Sequence, residues 1–197
     1  NKPTIIISPL VSLMQDQVEQ LKVNGEKRVV ALNSFLSRDE KADVLRNINR
    51  YLFIFLSPEM LKLQSVVNTL KTLQIGLFVV DEAHCISQWG YDFRPAYLNI
   101  ASIRQYVPKV PILALTATAT PEVVDDIQEK LHFKEKNVFS KSFERRNLTY
   151  NVYEKNDKIG ALLQLCEKSK GTGIVYVGTR KETKEIAYVL QQNGFPA

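Results

Sequence analysis

Two adjacent carboxylates, Asp81 and Glu82, follow the apolar run Leu77–Val80, and His84 stands two residues further on. Buried strands do not usually stop on paired acids. Nucleotide hydrolysis has a use for such a pair. Asp81 would hold Mg2+, mostly through water, because magnesium prefers oxygen ligands in octahedral geometry. Glu82 would orient or deprotonate a water attacking a γ-phosphate in line. His84 is close enough to sense the phosphate state and pass it onward. The same residues also suit a helix start whose acids complement its dipole, and spacing does not separate the two readings.

The segment that follows, ISQWGYDFRPAY (Ile86–Tyr97), sets Trp89, Tyr91, Phe93 and Tyr97 around Arg94. Surface loops rarely carry so many rings. Trp89 and Phe93 offer faces on which unstacked bases can lie, each stack being worth roughly 1–3 kcal/mol. Arg94 can pair with a phosphate or stack as a cation, and Gly90 lets the segment bend. The alternative is a core of packed rings, which suits Tyr97 best.

These residues need a scaffold that brings them together. Thr4–Ser8, Val29–Leu32, Leu52–Leu56, Gly76–Val80 and Pro111–Leu115 are short apolar runs without alternation, as expected of strands covered on both faces. Helical spacing lies between them, as in Leu10, Leu13, Met14, Val18 and Leu21. Ser37 with Glu40 forms a capping-box pattern opening a helix through about Arg50, and Thr120–Pro121 reads as the start of another through Leu131. The order βαβα predicts an α/β fold with a doubly wound parallel sheet. Four predicted strands end on a polar residue: Ser8, Ser57, Asp81 and Thr116. In such sheets the carboxyl ends of the strands face the ligand crevice. Ser8 and Ser12 at the start of a helix make a natural phosphate-binding arrangement. Thr116 and Thr118 could relay between Asp81/His84 and a bound polymer through hydroxyl hydrogen bonds, although a turn rich in small residues also explains the stretch.

The pattern changes near residues 141–147, where a polar, basic stretch reads as a linker. Beyond it come the alternating LTYNVY (Leu148–Tyr153), a helix near Asp157–Lys168, a strand Gly173–Gly178 and a helix ending at Gly194. We expect one domain over residues 1–146 and the beginning of a second over 147–197. The net charge of +5 falls wholly after residue 131, since residues 1–131 hold 14 basic and 14 acidic residues against 12 and 7 in the remainder. A basic second part fits a polyanionic partner or merely a solvated face. No apolar run approaches the length of a membrane span. Cys85 and Cys166 lie far apart, and His84 and His132 are scattered, so spacing suggests neither a disulfide framework nor a metal cluster.

Taken together, DEAHC and ISQWGYDFRPAY resemble the RecQ family of superfamily 2 DNA helicases, whose aromatic-rich loop directly follows the DEAH box of motif II. The resemblance runs along the chain. SPLVSLMQDQV (Ser8–Val18) is similar to motif Ia, LSPEML (Leu56–Leu61) to motif Ib and ALTATAT (Ala114–Thr120) to motif III. SFERRNL (Ser142–Leu148) resembles the domain junction, and Gly173–Gly194 motif IV. The resemblance implies two RecA-like lobes of the P-loop NTPase type, ATP and Mg2+ as cofactors, single-stranded and partial duplex DNA as partners, and 3′-to-5′ movement in repair and recombination. It also implies a nuclear location in a eukaryote or a nucleoid-associated cytoplasmic one in a bacterium. Asp81, Glu82 and His84 would be catalytic, and the aromatic loop would couple DNA to the nucleotide. Motifs Ia and Ib would grip the strand's backbone, with Thr179 and Arg180 as phosphate contacts on the second lobe. The chain departs from many members at Tyr91, commonly His, and at Ala96, commonly acidic or polar.

None of the eight glycines forms G-x-x-x-x-G-K-[ST], the loop that cradles phosphates in such motors. Nor do these residues include the family's adenine-reading segment or its arginine finger. We expect an internal slice of a motor core that does not hydrolyse ATP by itself. Two alternatives stand beside the DNA helicase: a non-catalytic module binding single-stranded nucleic acid or protein, and an RNA helicase of the DEAD-box type. The latter lack the aromatic loop.

Overall fold

A computed structural model describes residues 2–89, 92–142 and 144–197. The chain divides into two compact units, Asn1–Phe139 and Ser140–Ala197, a division upstream of the expected boundary.

The first unit is built on five parallel strands, β1 (Thr4–Ile7), β2 (Val29–Leu32), β3 (Phe53–Leu56), β4 (Leu77–Val80) and β5 (Ile112–Ala114), in the order β2-β3-β1-β4-β5. Each lies within the run expected for it, trimmed by a residue or so at the ends. Helices α1 (Val11–Val23), α2 (Arg38–Arg46), α3 (Gln64–Thr72), α4 (Leu98–Tyr106) and α5 (Pro121–Lys130) fill the connections.

Both faces of the sheet are covered, which is why the strands are apolar throughout. Met14 and Val18 of α1 pack on Val29 and Phe55, with Ile6 and Phe53 beside them. The alternate residues Ile5, Ile7, Ile54, Leu56, Phe78 and Val80 point the other way. There they meet Val66 and Leu70 of α3, Ile100 and Ile103 of α4, and Val123 and Ile127 of α5. Gly76 allows the entry to β4, since a Cβ there would lie 2.9 Å from that of Lys2. Leu113 and Leu115 of the β5 segment stay substantially exposed, and the outer edge of β5 pairs with no strand among the described residues.

Local signals set the helix starts. Ser37 and Glu40 form the capping box of α2, which ends at Arg46 rather than Arg50, the chain tightening into a 3-10 turn over Ile48–Arg50. Thr120 Oγ1 accepts from the Val123 amide, with Pro121 as the first residue of α5.

The second unit holds α6 (Lys158–Lys168), capped by Asp157, and α7 (Arg180–Gln192), opened by a capping box of Thr179 and Glu182. The strand expected at Gly173–Gly178 does not form. A strand needs a neighbour for its amides and carbonyls, and no strand runs beside it among the described residues. Ile174 and Tyr176 are accordingly exposed, as are Tyr150 and Val152 of the alternating stretch. Among the described residues no helix is long and apolar enough to cross a membrane.

The two kinds of contact differ in energy. Phe78→Ala should destabilise the first unit by about 3–5 kcal/mol, and Thr120→Ala by about 1 kcal/mol. Thermal unfolding of the full-length protein followed by circular dichroism checks the order of the two shifts.

Candidate active site at the strand tips

Register decides which residues meet. Ile7 aligns with Leu56 on one side and Val80 on the other, so β3, β1 and β4 finish level. The next residues, Ser57, Ser8 and Asp81, therefore stand in a row at the carboxyl edge. Ser8 is fully buried, and its Oγ lies 3.4 Å from Asp81 Oδ2. Ser57 is buried too, but its hydroxyl has no partner among the described residues and joins none of the site groups.

The turn after β4 is unusual. Glu82 has φ 46° and ψ 47°, in the left-handed region, at a cost of roughly 1–2 kcal/mol for a residue with a Cβ. Hydrogen bonds hold it there. The Asp81 amide donates to Ile7 O of β1 at 2.9 Å, and the Ala83 amide to Leu115 O beyond β5 at 2.8 Å. The Glu82 amide donates to Asp81 Oδ1 at 3.0 Å. Tyr97, fully buried, donates its hydroxyl to Asp81 O at 2.9 Å. After this turn comes a single 3-10 turn, Ala83–Ile86, not an α-helix whose dipole two acids would complement.

His84 joins the turn to β5. Its Nδ1 lies 3.3 Å from Glu82 Oε2 and 2.9 Å from Thr116 Oγ1. His84 Nδ1 thus stands between the Glu82 carboxylate and the Thr116 hydroxyl. Thr116 Oγ1 also accepts from the Thr118 amide at 3.2 Å. Asp81, Glu82, His84, Ser8 and Thr116 are thus one connected group. Thr118 enters through its backbone, its side chain being exposed. Ser12, exposed on α1, is not brought into the network. Thr179 and Arg180 belong to the second unit, where Thr179 caps α7 and Arg180 is its exposed first residue.

Asp81 fits a hard cation. Each of its oxygens receives one hydrogen bond and keeps a lone pair. Oxygen donors are what Mg2+ takes.

The aromatic segment begins from the same turn. Trp89 is 79% exposed, which rules out a core role for its indole; Phe93 is half-buried. Gly90 and Tyr91, where a bend and a departure from the family pattern were read, lie outside the described residues. Arg94 is a brace. Its Nε and Nη2 donate to Asp92 Oδ2 at 3.1 and 2.9 Å, and its Nη1 donates to Pro9 O, just past β1, at 3.2 Å. Its own amide donates to Cys85 O at 2.9 Å. The hydrogen bonds from Arg94 hold the Asp92 carboxyl below its ordinary value.

Sequence spacing did not reveal the roles of Pro9, Asp92 and the Tyr97 hydroxyl. A ring beside an arginine reads the same whether its hydroxyl is satisfied or not. Nor did it reveal that donor atoms of His84, Cys85 and Asp92 lie within 4.8 Å of one another. Burial, reinforced by the Asp92 charge, pushes the Cys85 thiol up to about 11. The Asp92 carboxylate of this group is engaged by the Arg94 guanidinium.

The chain is similar to several known proteins. Residues 1–127 match the model of the DEAD/DEAH box helicases. In Bacillus subtilis, the protein named "Probable ATP-dependent DNA helicase RecS" is 48% identical over 186 residues, which is 93% of this chain and 38% of the relative. The ATP-dependent DNA helicase RecQ of the same organism is 41% identical over 194 residues, 96% of this chain and 33% of the relative. The chain thus spans 33–38% of the length of these relatives. The solved Mycobacterium smegmatis helicase Lhr, bound to ssDNA and AMP-PNP, aligns with 98% of this chain and 29% of its own at 16% identity and a TM-score of 0.60, a likeness of fold. The parallel sheet with its carboxylates at the strand tips is a RecA-like α/β unit, and the chain belongs to the DEAD/DEAH box helicase family, on its RecQ branch.

Proposed function

We propose that the full-length protein is an ATP-dependent DNA helicase that moves 3′ to 5′ along single-stranded DNA and separates duplexes, in repair or recombination. The observation that carries this reading is the joining of the Asp81–Glu82 turn, through a few residues of backbone, to an exposed Trp89 and a braced Arg94. A non-catalytic binding module has no need of a strained Glu82 aimed at a histidine.

Asp81 would hold the magnesium of a magnesium–nucleotide complex, in part through water. When bound, the ion neutralises triphosphate charge during in-line attack by water. Glu82 orients that water and takes its proton. His84 and Thr116 carry changes in Glu82 to the tip of β5, from which Thr118 can act on the polymer. The phosphate cradle and the arginine finger would come from outside these 197 residues, so the isolated chain should not turn over ATP.

Ser12, exposed at the start of α1, contacts the DNA backbone; Ser8, fully buried against Asp81, does not reach it, and within Leu56–Leu61 only Glu59 is exposed. Such contacts fix register without reading sequence. Trp89 and Phe93 stack on unpaired bases, and Arg94 exchanges Asp92 for a phosphate or a base face. Thr179 and Arg180 supply phosphate contacts from the second unit. A nuclear or nucleoid-associated location follows, according to the source.

Glu82→Gln in the full-length protein should lower DNA-stimulated phosphate release by about 10²–10⁴-fold while nucleotide still binds. Intact biological function in that variant would favour the non-catalytic reading.

Trp89→Ala and Arg94→Ala should leave nucleotide affinity nearly unchanged and sharply reduce stimulation by single-stranded DNA. Normal stimulation in both variants would remove the coupling role.

Single-stranded DNA should stimulate ATP hydrolysis far more than RNA of the same length. The reverse preference would favour an RNA helicase.

A further inference from the structure

Among the hydrogen bonds that fix the Asp81–Ala83 backbone, two come from the sheet and two are local. A further one, from the Tyr97 hydroxyl to Asp81 O at 2.9 Å, comes from the far end of the aromatic segment. Tyr97 is fully buried, and burial raises its phenol well above the ordinary value, so it donates at every physiological pH. Its backbone is tied back to the same segment, because the Tyr97 amide donates to Arg94 O at 2.9 Å. Arg94 in turn is bonded to Cys85 O, Asp92 and Pro9 O. A displacement of Arg94 by a polymer is therefore felt at the carbonyl preceding Glu82. Rotation of that peptide changes φ of Glu82, the torsion that aims its carboxylate at His84.

We infer that Tyr97 is a positioning residue through which the aromatic segment sets the orientation of Glu82, and that its hydroxyl, rather than its ring, carries the effect. The inference rests on the ATPase reading above. It assigns a role to a side chain that touches neither nucleotide nor polymer.

The test is Tyr97→Phe in the full-length protein, which keeps the ring and removes the donor. The DNA-stimulated kcat should fall about five- to tenfold, the range expected for one lost neutral hydrogen bond. The KM for ATP and the affinity for single-stranded DNA should stay within about twofold, because neither ligand touches the hydroxyl. A structural defect would not produce that split. In a double-mutant cycle with Arg94→Ala, the two losses should be markedly less than multiplicative, since both interrupt one path. 3-Fluorotyrosine incorporated at position 97 should restore kcat, and it keeps the inference testable if Tyr97→Phe folds poorly. An unchanged kcat, fully multiplicative losses, or no rescue would overturn the inference. If Glu82→Gln is inactive while Tyr97→Phe behaves like the parent, the role of Tyr97 alone falls. If Glu82→Gln stays active, the role given to Glu82 falls, and that of Tyr97 with it.

Discussion

The site depends on one constraint: β4 is gripped from both sides at the point where it ends. The Asp81 amide is bonded to β1, and the Ala83 amide to the residue following β5. Glu82 lies between these anchors and has no room for an ordinary strand or helical conformation. Its left-handed backbone is a strain that the neighbouring strands impose and the surrounding hydrogen bonds offset. A central position in a parallel sheet makes this possible, because only there does a strand tip have a partner on either hand. Ser8 beside Asp81 and Thr116 beside His84 follow from the same arrangement.

The aromatic segment depends on that turn in a second way. It starts one 3-10 turn after Glu82 and returns to the sheet through Arg94, which reaches Pro9, and Tyr97, which reaches Asp81. Its ends are tied down while Trp89 between them is left in solvent. Under the proposed function, that exposed indole is the ring that would engage an unpaired base.

The two units differ in how far local sequence can carry them. In the first, strands and helices complete one another and bury a common core. In the second, α6 and α7 form from their own caps and periodicity, since helices satisfy their backbone internally. Gly173–Gly178 is as β-branched and apolar as the strands of the first unit, yet it makes no ladder. Propensity selects candidates for strands; a neighbour makes them strands.

Local chemistry, readable residue by residue, was enough for the helix starts at Ser37 and Thr120, for the five apolar runs, and for the pairing of Asp81 with Glu82 at a strand end. Periodicity, capping and composition act over a few residues, so a linear reading contains them. The register aligning Ser8 with Asp81, the left-handed Glu82, the sharing of His84 Nδ1 with Thr116, and the Tyr97 hydroxyl beneath Asp81 are of another kind. Each joins atoms separated by 16 to 73 positions or is imposed by such a pairing. Their geometry exists only when the sheet has closed, because hydrogen bonds of fixed length hold the partners and sequence distance does not encode them.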